Sequence, residues 1–359
     1  MAKVCFVRQM LWVGLTLAAP LCPAQETTLL GLPPVPVPYA NLQTPAKIVL
    51  GKKLFSDKRL SADGSISCAS CHQAQKAFAD GRPLARGIAG RIGTRNTPGL
   101  LNAAYLTSQF WDGRRISLEE QVKDPFVNSL EHGLADHAQV LRIIQADKNY
   151  PSDFRCAFGL RPRHLSIDHV AQALAAFVRT LVAGNSPFDR FQYAGQHNAL
   201  SESAQRGLAL FRGRTQCAAC HVIGTEHALF TDNGFHRLGV GYPKIESRLA
   251  EMVLRVSNRD DRSLDQTILG DKELTELGRF LVTLNPADIG RFKTPSLRNV
   301  ALTAPYMHDG SVPTLSEAVD REVYYRGLEV GRPLILTPQE KSDLIEFLKS
   351  LNSSTLPSS

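Results

Sequence analysis

A five-residue pattern, Cys-x-x-Cys-His, occurs twice in this chain of 359 residues and constrains its fold more than any other feature. Two cysteines one helical turn apart can form thioethers with the two vinyl groups of a porphyrin. The adjacent histidine can then bind the iron from one face. Each copy therefore predicts one covalently attached c-type haem, in preference to a zinc or redox-active CxxC site. The residues predicted to hold the two haems are Cys68, Cys71, His72, Cys217, Cys220 and His221.

The amino-terminal residues predict export. Residues 1–24 begin with two basic side chains, Lys3 and Arg8, followed by an apolar run and by Ala24 at the expected cleavage position. The apolar run is shorter than a membrane-spanning helix requires. We therefore predict a signal peptide over residues 1–24 and a periplasmic location.

Composition excludes some functions and leaves one cysteine unassigned. Hydrophobic residues make up 43% of the chain, which is enough for a core, and the formal net charge is +7. Because no basic run alternates with aromatic residues, the sequence does not indicate nucleic-acid binding. Of the seven cysteines, Cys156 lies outside both the signal peptide and the haem motifs. We predict that it is a small buried residue without a partner.

A second repeat indicates an internal duplication. The pattern Thr-Pro-x-Leu-x-Asn begins at Thr97 and again at Thr294, and Asp-Gly begins at Asp112 and again at Asp309, so each pair lies 197 positions apart (294 − 97, 309 − 112). A Gly-x-x-Leu-Phe pattern precedes each haem motif. We predict a mainly α-helical protein made of two cytochrome c-like haem domains, with the active site near their interface.

Prolines and helix-capping residues predict how the chain is organised. Prolines mark an extended segment over residues 25–43, and helices are predicted to begin after Thr44 and after Ser201. Three further helices share a Phe-x-x-Thr/Ser-Leu ending, which we interpret as packing. They are predicted over residues 170–181, 274–284 and 342–351. The predicted domains are 44–195 and 196–352, with a linker over 185–198 and a disordered tail over 353–359.

The two halves diverge where chemistry is expected. Trp111 aligns with His308, and Gln121 aligns with Ala318. A polar helix residue where the other copy has alanine suggests a group directed at a reactive centre. His308 is interpreted as supporting the haems or a propionate rather than binding iron. The other histidines outside the motifs are predicted to be surface or loop residues: His132, His137, His164, His169, His197, His227 and His236.

Three motifs add to the haem motifs: residues 95–98 (RNTP), 110–114 (FWDGR) and 305–310 (PYMHDG). With them the chain resembles the bacterial di-haem cytochrome c peroxidase family, including its MauG-like branch, over nearly all of its mature length. The resemblance implies that the haem bound through His72 reacts with peroxide. It also implies that the haem bound through His221 relays electrons.

The resemblance also implies roles near the first haem. Gln121 and Glu131 match the distal pair of the family in residue type and in their separation of ten. A carboxylate over the iron can move a proton between the peroxide oxygens, and an amide can hold the peroxide. Trp111 matches the tryptophan that lies between the two haems, and Pro125 fits a position in the distal pocket.

The sequence does not decide which residue is the distal ligand of the second iron. Peroxidases of the family use a methionine after the Pro-Tyr-x-His motif, but residues 315–327 contain none. The MauG-like branch uses a tyrosine, which favours Tyr324, with Met307 and Tyr325 as alternatives. A tyrosinate ligand would lower the potential of the iron relative to methionine.

Two more expectations follow from the resemblance. Members that require reductive activation often carry a blocking histidine before Arg95, but residues 81–94 contain none. An open or water-bound reactive iron is therefore expected. The calcium ion of the family maps to the side chain of Asn96 and the backbone carbonyls of Thr303 and Pro305, which are hard oxygen ligands.

Three functions are consistent with these residues. The first is an exported peroxidase that reduces hydrogen peroxide with electrons from a c-type cytochrome or a cupredoxin. The second is a MauG-like oxidase, which would use peroxide-derived high-valent haem iron to oxidise tryptophan or tyrosine residues of a partner protein. The third is an electron-transfer cytochrome without enzymatic activity, which would leave Gln121 and Glu131 without a role. A homodimer is compatible with all three.

Overall fold

The computed structural model describes residues 29–258 and 271–357, so the predicted signal peptide lies outside the described residues. The described residues are mainly helical, with one two-stranded antiparallel pair of β1 (Phe235–His236) and β2 (Phe292–Lys293). No helix in these two ranges is long and apolar enough to cross a membrane. The α-helices are α1 (Pro45–Ser56), α2 (Cys68–Cys71), α3 (Leu118–Gln121), α4 (Asp124–Val127), α5 (His137–Ala146), α6 (Tyr150–Phe158), α7 (Ile167–Val178), α8 (Pro187–Tyr193), α9 (Glu202–Arg212), α10 (Leu249–Ser257), α11 (Phe280–Thr283), α12 (Leu315–Glu329) and α13 (Pro338–Lys349).

Each half is built on two helices that meet at a glycine. Helix α1 packs on α7, and a Cβ on Gly51 would lie 2.0 Å from the carbonyl oxygen of Ala173. Helix α9 packs on α13, and a Cβ on Gly207 would lie 2.0 Å from the carbonyl oxygen of Asp343. The glycine of the repeated Gly-x-x-Leu-Phe pattern therefore allows two helix backbones to approach closely.

A phenylalanine pair next to each crossing continues the repeat. The rings of Phe55 and Phe177 lie 5.1 Å apart in the first half, and those of Phe211 and Phe347 lie 5.0 Å apart in the second. Each half forms a separate hydrophobic core around its pair. The repeated Phe-x-x-Thr/Ser-Leu endings of α7 and α13 are thus core packing, as predicted.

Reciprocal backbone hydrogen bonds join the two halves. The amide nitrogen of Asn96 donates to the carbonyl of His308 at 2.9 Å, and that of Lys293 donates to the carbonyl of Trp111 at 2.8 Å. Asn96 aligns with Lys293 and Trp111 aligns with His308, each 197 positions apart (293 − 96, 308 − 111). The same bond is therefore made in both directions, as across a twofold axis. The predicted duplicated helical fold is confirmed.

Helix starts were predicted better than helix continuity. Thr44 and Ser201 each accept a backbone N–H of the first turn of α1 and α9, as expected. The continuous helix predicted over residues 274–284 is wrong. A 3₁₀ turn there is separated from the short α11 by Gly278, whose φ of 60° interrupts the helix.

Residues 185–198, predicted to be a linker, instead contain α8 and join the second core. The ring of Phe188 is buried 5.1 Å from that of Phe230. Asp189 is also buried and accepts from both terminal guanidinium nitrogens of Arg298 at 2.9 Å. The segment is fixed because a buried ion pair with both partners present strongly resists separation.

The extended segment and the tail are also tied down in part. The carbonyl of Gly31 accepts from Arg298 at 2.6 Å, and that of Pro33 accepts from the Tyr105 hydroxyl at 3.0 Å. Ser353, the first residue of the predicted disordered tail, donates its amide to the Asn299 side chain at 2.8 Å. The first residue of the tail is therefore held against the second half by a hydrogen bond.

Cys156 is exposed, so the prediction of a buried cysteine is wrong. The core-facing side of α6 is taken by Tyr150 and Phe154, which are 0% and 3% exposed. Cys156 follows Phe154 by two residues, about 200° around the helix, and so faces away from the core.

The glycine crossings yield a stability prediction. We expect Gly51→Ala and Gly207→Ala each to lower the free energy of unfolding by about 1–3 kcal/mol, because the added methyl overlaps a backbone carbonyl that cannot move independently. Chemical denaturation of the haem-loaded protein, followed by circular dichroism, measures the change. Gly93→Ala is the control, since its Cβ would make ordinary contacts at 3.5 Å. Stability unchanged in both crossing variants would contradict the close helix contacts.

Candidate functional site

A continuous cavity of about 440 Å³ reaches both Cys-x-x-Cys-His motifs. His72 and His221 line it, together with Trp111 and His308 from the two aligned loops. The reciprocal bonds between the halves thus bring both haem motifs and both loops to one shared space.

The same hydrogen bond orients both motif histidines for binding a metal through Nε2. Nδ1 of His72 lies 2.9 Å from the carbonyl of Phe78, and Nδ1 of His221 lies 2.9 Å from the carbonyl of Phe230. A carbonyl can only accept, so Nδ1 carries the proton in each ring and the lone pair lies on Nε2. Burial lowers the pKa of both histidines, which keeps them neutral as ligation requires.

The remaining features of the motifs also fit covalent haem. Three of the motif thiols, those of Cys71, Cys217 and Cys220, line the cavity. Within the described residues, the buried atoms Nε of Arg95 and Oγ1 of Thr97 have no hydrogen-bond partner, and both residues line the cavity. Haem propionates would supply such partners. The residues present therefore fit two haems bound through thioethers.

A partly buried carboxylate lies at the His72 end of the cavity. Glu131 accepts a 2.5 Å hydrogen bond from Nδ2 of Asn128, and burial raises its pKa although Arg114 and Asn128 oppose the shift. Gln121, the last residue of α3, and Pro125 in α4 line the same cavity. The structure thus brings the predicted distal residues together.

The loop over residues 81–94, which contains no histidine, packs directly against the backbone of Leu130 and Glu131. The amide of Ile88 donates to the carbonyl of Glu131 at 2.9 Å. A Cβ on Gly87 would lie 1.9 Å from the carbonyl oxygen of Leu130, so the contact requires glycine. Gly87 was not identified from the sequence, because one glycine in a glycine-rich loop carries no distinguishing signal.

Two histidines that were predicted only to be surface or loop residues have defined surroundings near the site. His132 lies in a turn, as predicted, but it is buried, with Nδ1 at 2.7 Å from the carbonyl of Leu60. The side chain of His236 is 39% exposed, which agrees with the predicted surface position, and it also lines the cavity. Its ring lies 3.8 Å from the Cys220 sulfur and pairs with Asp232 at 2.7 Å. Adjacency to Glu131 was the one available signal for His132, whereas the position of His236 depends on the pairing of β1 with β2.

The two aligned loops place aromatic and charged groups beside the cavity. Nε1 of Trp111 donates to the carbonyl of Asn96 at 2.9 Å. His308 stacks on Phe292 with ring centres 3.6 Å apart, and its Nε2 lies 2.7 Å from a carboxylate oxygen of Glu276. Because Nε2 is engaged with Glu276, this geometry favours a supporting role for His308 over iron ligation.

Tyr324 does not reach the second haem site. It is 62% exposed and does not line the cavity, whereas Tyr325 does. Neighbouring residues on a helix point about 100° apart, and α12 turns Tyr325 to the face it shares with Ala318 and Glu322. The preference for Tyr324 is therefore wrong. Met307, the other alternative, also lines the cavity.

Oxygen atoms suited to a hard cation lie beside Trp111. Nδ2 of Asn96 donates to the carbonyl of Arg82 at 2.8 Å, which turns Oδ1 to the opposite side of the amide. Thr303 and Pro305 line the same cavity as Asn96. No donor within the described ranges bonds to Asn96 Oδ1 or to the carbonyls of Thr303 and Pro305. These residues fit a calcium site.

Comparison with known proteins agrees with this geometry. Residues 45–198 match a family model described as di-haem cytochrome c peroxidase. The chain is 37% identical to the cytochrome-c peroxidase IdrP1 of Pseudomonas sp. strain SCT, over 90% of this chain and 85% of the relative. It is also 37% identical to the methylamine utilization protein MauG of Methylorubrum extorquens, over 88% and 81% of the two chains.

A solved structure shows the same architecture. The crystal structure of a MauG-like protein associated with microbial copper homeostasis superposes with a TM-score of 0.73 at 30% sequence identity. The match covers 92% of this chain and 95% of that one. Relatives of this identity and coverage, together with two prepared haem motifs on one cavity, establish that this chain belongs to the di-haem cytochrome c peroxidase family.

Proposed function

We propose that the chain reduces hydrogen peroxide to two waters, with two electrons and two protons, at the haem bound through His72. Electrons would enter singly at the haem bound through His221, from a c-type cytochrome or a cupredoxin. The supporting observation is an asymmetry of the cavity. Its first end holds the partly buried Glu131 together with Gln121, whereas Ala318 takes the place of Gln121 at the second end.

The protein side chains would manage protons and orientation. When bound, the haem supplies a redox-active iron that binds peroxide and exchanges electrons. A carboxylate oxygen of Glu131 would take the proton from the peroxide oxygen nearer the iron and return it to the leaving oxygen. The Gln121 amide would hold the peroxide, and Asn128 would fix the rotamer of Glu131.

Three finer assignments complete the proposal. A calcium ion would lie between the haems on Asn96, Thr303 and Pro305, and the signal peptide over residues 1–24 would direct the chain to the periplasm. Tyr325 would bind the second iron, because it is the tyrosine of α12 that lines the cavity. A homodimer stays a prediction.

One observation supports the second candidate function, a MauG-like oxidase acting on a partner protein. A tyrosine at the second haem favours this branch, and Tyr325 lies where it could serve. Turnover of reduced cytochrome c with peroxide, compared with peroxide-dependent modification of a partner, distinguishes the two.

Replacing Glu131 tests the proposed proton transfer. We expect Glu131→Gln to slow reaction with peroxide by about 10²–10⁴-fold, because the amide cannot accept and return the proton. The raised pKa of Glu131 also sets a pH dependence. The wild-type rate should rise with pH as the carboxylate ionises, and Glu131→Gln should lose that rise. Stopped-flow mixing with peroxide measures both effects.

The control for this experiment is Glu202→Gln, an exposed change in the first turn of α9. It should leave the rate and its pH profile unchanged. A Glu131→Gln variant that retains both haems and reacts at the wild-type rate would refute the role of Glu131.

The adjacent tyrosines provide a matched pair for the second haem. We expect Tyr325→Phe to change the axial ligation of one iron, seen as altered absorption and electron paramagnetic resonance spectra, because phenylalanine offers no oxygen ligand. Tyr324→Phe should leave the spectra unchanged, since that side chain faces solvent. The opposite result, a change with Tyr324→Phe alone, would overturn the assignment.

The loop over residues 81–94 predicts an accessible first iron. We expect the resting oxidised protein to show a high-spin electron paramagnetic resonance signal and to react with peroxide without prior reduction, because no histidine of this loop can block the iron. Two low-spin signals and no reaction would instead support the electron-transfer cytochrome.

A further inference from the structure

The twofold relation between the halves predicts a second position equivalent to the proposed calcium site. Each ligand residue has a counterpart 197 positions away, as 293 − 96, 303 − 106 and 305 − 108 show. Asn96 corresponds to Lys293, and the carbonyls of Thr303 and Pro305 correspond to those of Leu106 and Ser108. The backbone hydrogen bonds of Asn96 and Lys293 to the opposite half are also equivalent, so the two side chains start from matched positions.

The ammonium of Lys293 lies at this second position. Nζ of Lys293 donates to the carbonyl of Ser108 at 2.5 Å, and the residue is 7% exposed. The carbonyl of Leu106, the other counterpart, accepts a long 3.5 Å bond from the Gln109 side chain. A side-chain cation therefore contacts the carbonyl that corresponds to a proposed calcium ligand in the other half.

We propose that Lys293 serves as a tethered cation that fills the counterpart of the calcium site, so that one half uses a metal ion where the other uses an ammonium. This inference rests on the calcium site proposed above.

Electrostatics gives a reason for a cation in both places. Backbone carbonyls that converge in a buried region concentrate negative partial charge, which a cation offsets. Burial lowers the pKa of Lys293 to about 8, with Asp112 opposing the shift, so the ammonium is charged at neutral pH. Asn96 accepts from the Trp111 indole, and Lys293 donates to the Trp111 carbonyl. The two cation positions therefore flank the same tryptophan.

Exchanging the two residue types tests the inference. Calcium bound per haem-loaded chain is measured at pH 7 by isothermal titration after chelator treatment, and by elemental analysis. We expect one ion in the wild type, two in Lys293→Asn and none in Asn96→Lys. In Lys293→Asn an amide oxygen replaces the ammonium, whereas in Asn96→Lys an ammonium can reach the carbonyl of Pro305. Lys293→Met is the matched control and should bind one ion, because it removes the charge without adding an oxygen ligand.

The outcomes separate this inference from the proposal beneath it. No calcium in the wild type overturns the calcium site and this inference with it. One ion in both the wild type and Lys293→Asn, with both haems retained, overturns the role of Lys293 alone. If Lys293→Asn does not fold, the calcium content of Asn96→Lys tests the inference instead. Loss of the ion with both haems retained supports the inference, and retention of the ion refutes it.

Discussion

The structure depends on a pair of reciprocal backbone hydrogen bonds between its halves. The amides of Asn96 and Lys293 bind the carbonyls of His308 and Trp111, and each bond is the counterpart of the other. Such bonds are directional, and inside a protein their groups are costly to leave unpaired, so they fix the register of the two halves. With that register set, both haem motifs open onto one cavity, and the loop carrying Trp111 lies against the loop carrying His308.

The duplication gives both halves the same arrangement around the haem-binding histidine. Sequence differences between the halves then make the two distal sides unlike. The prepared histidines are identical in the two halves, down to an Nδ1 bond of 2.9 Å to a backbone carbonyl. The distal sides differ, because the first half breaks its chain into short helices around Gln121 and Glu131. The second half instead runs one continuous helix, α12, past the cavity. We propose that the first end moves protons at a substrate and that the second carries a fixed ligand.

Charged side chains cluster where the loop carrying Trp111 meets the loop carrying His308. Arg95, Glu276, His308 and Lys293 each make a hydrogen bond there, and the last three are buried. Charges in such surroundings act strongly on one another and on any bound cofactor. The contact between the two loops is thus electrostatic as well as hydrogen-bonded, and its carbonyl oxygens, aromatic rings and cations come from both halves.

The sequence alone determined the features that short motifs and their repetition encode. It predicted both haem motifs, the duplication and the helix caps at Thr44 and Ser201. Glu131, which lines the cavity with Gln121, was identified only through the resemblance to the family. Tertiary structure decided what depends on packing between distant segments. It turned Tyr325 rather than Tyr324 toward the cavity, because adjacent helix residues face different directions and only the neighbours of a helix reveal which face is buried. It likewise paired Glu276 with His308, since no local pattern records a contact between segments that meet only in the folded chain.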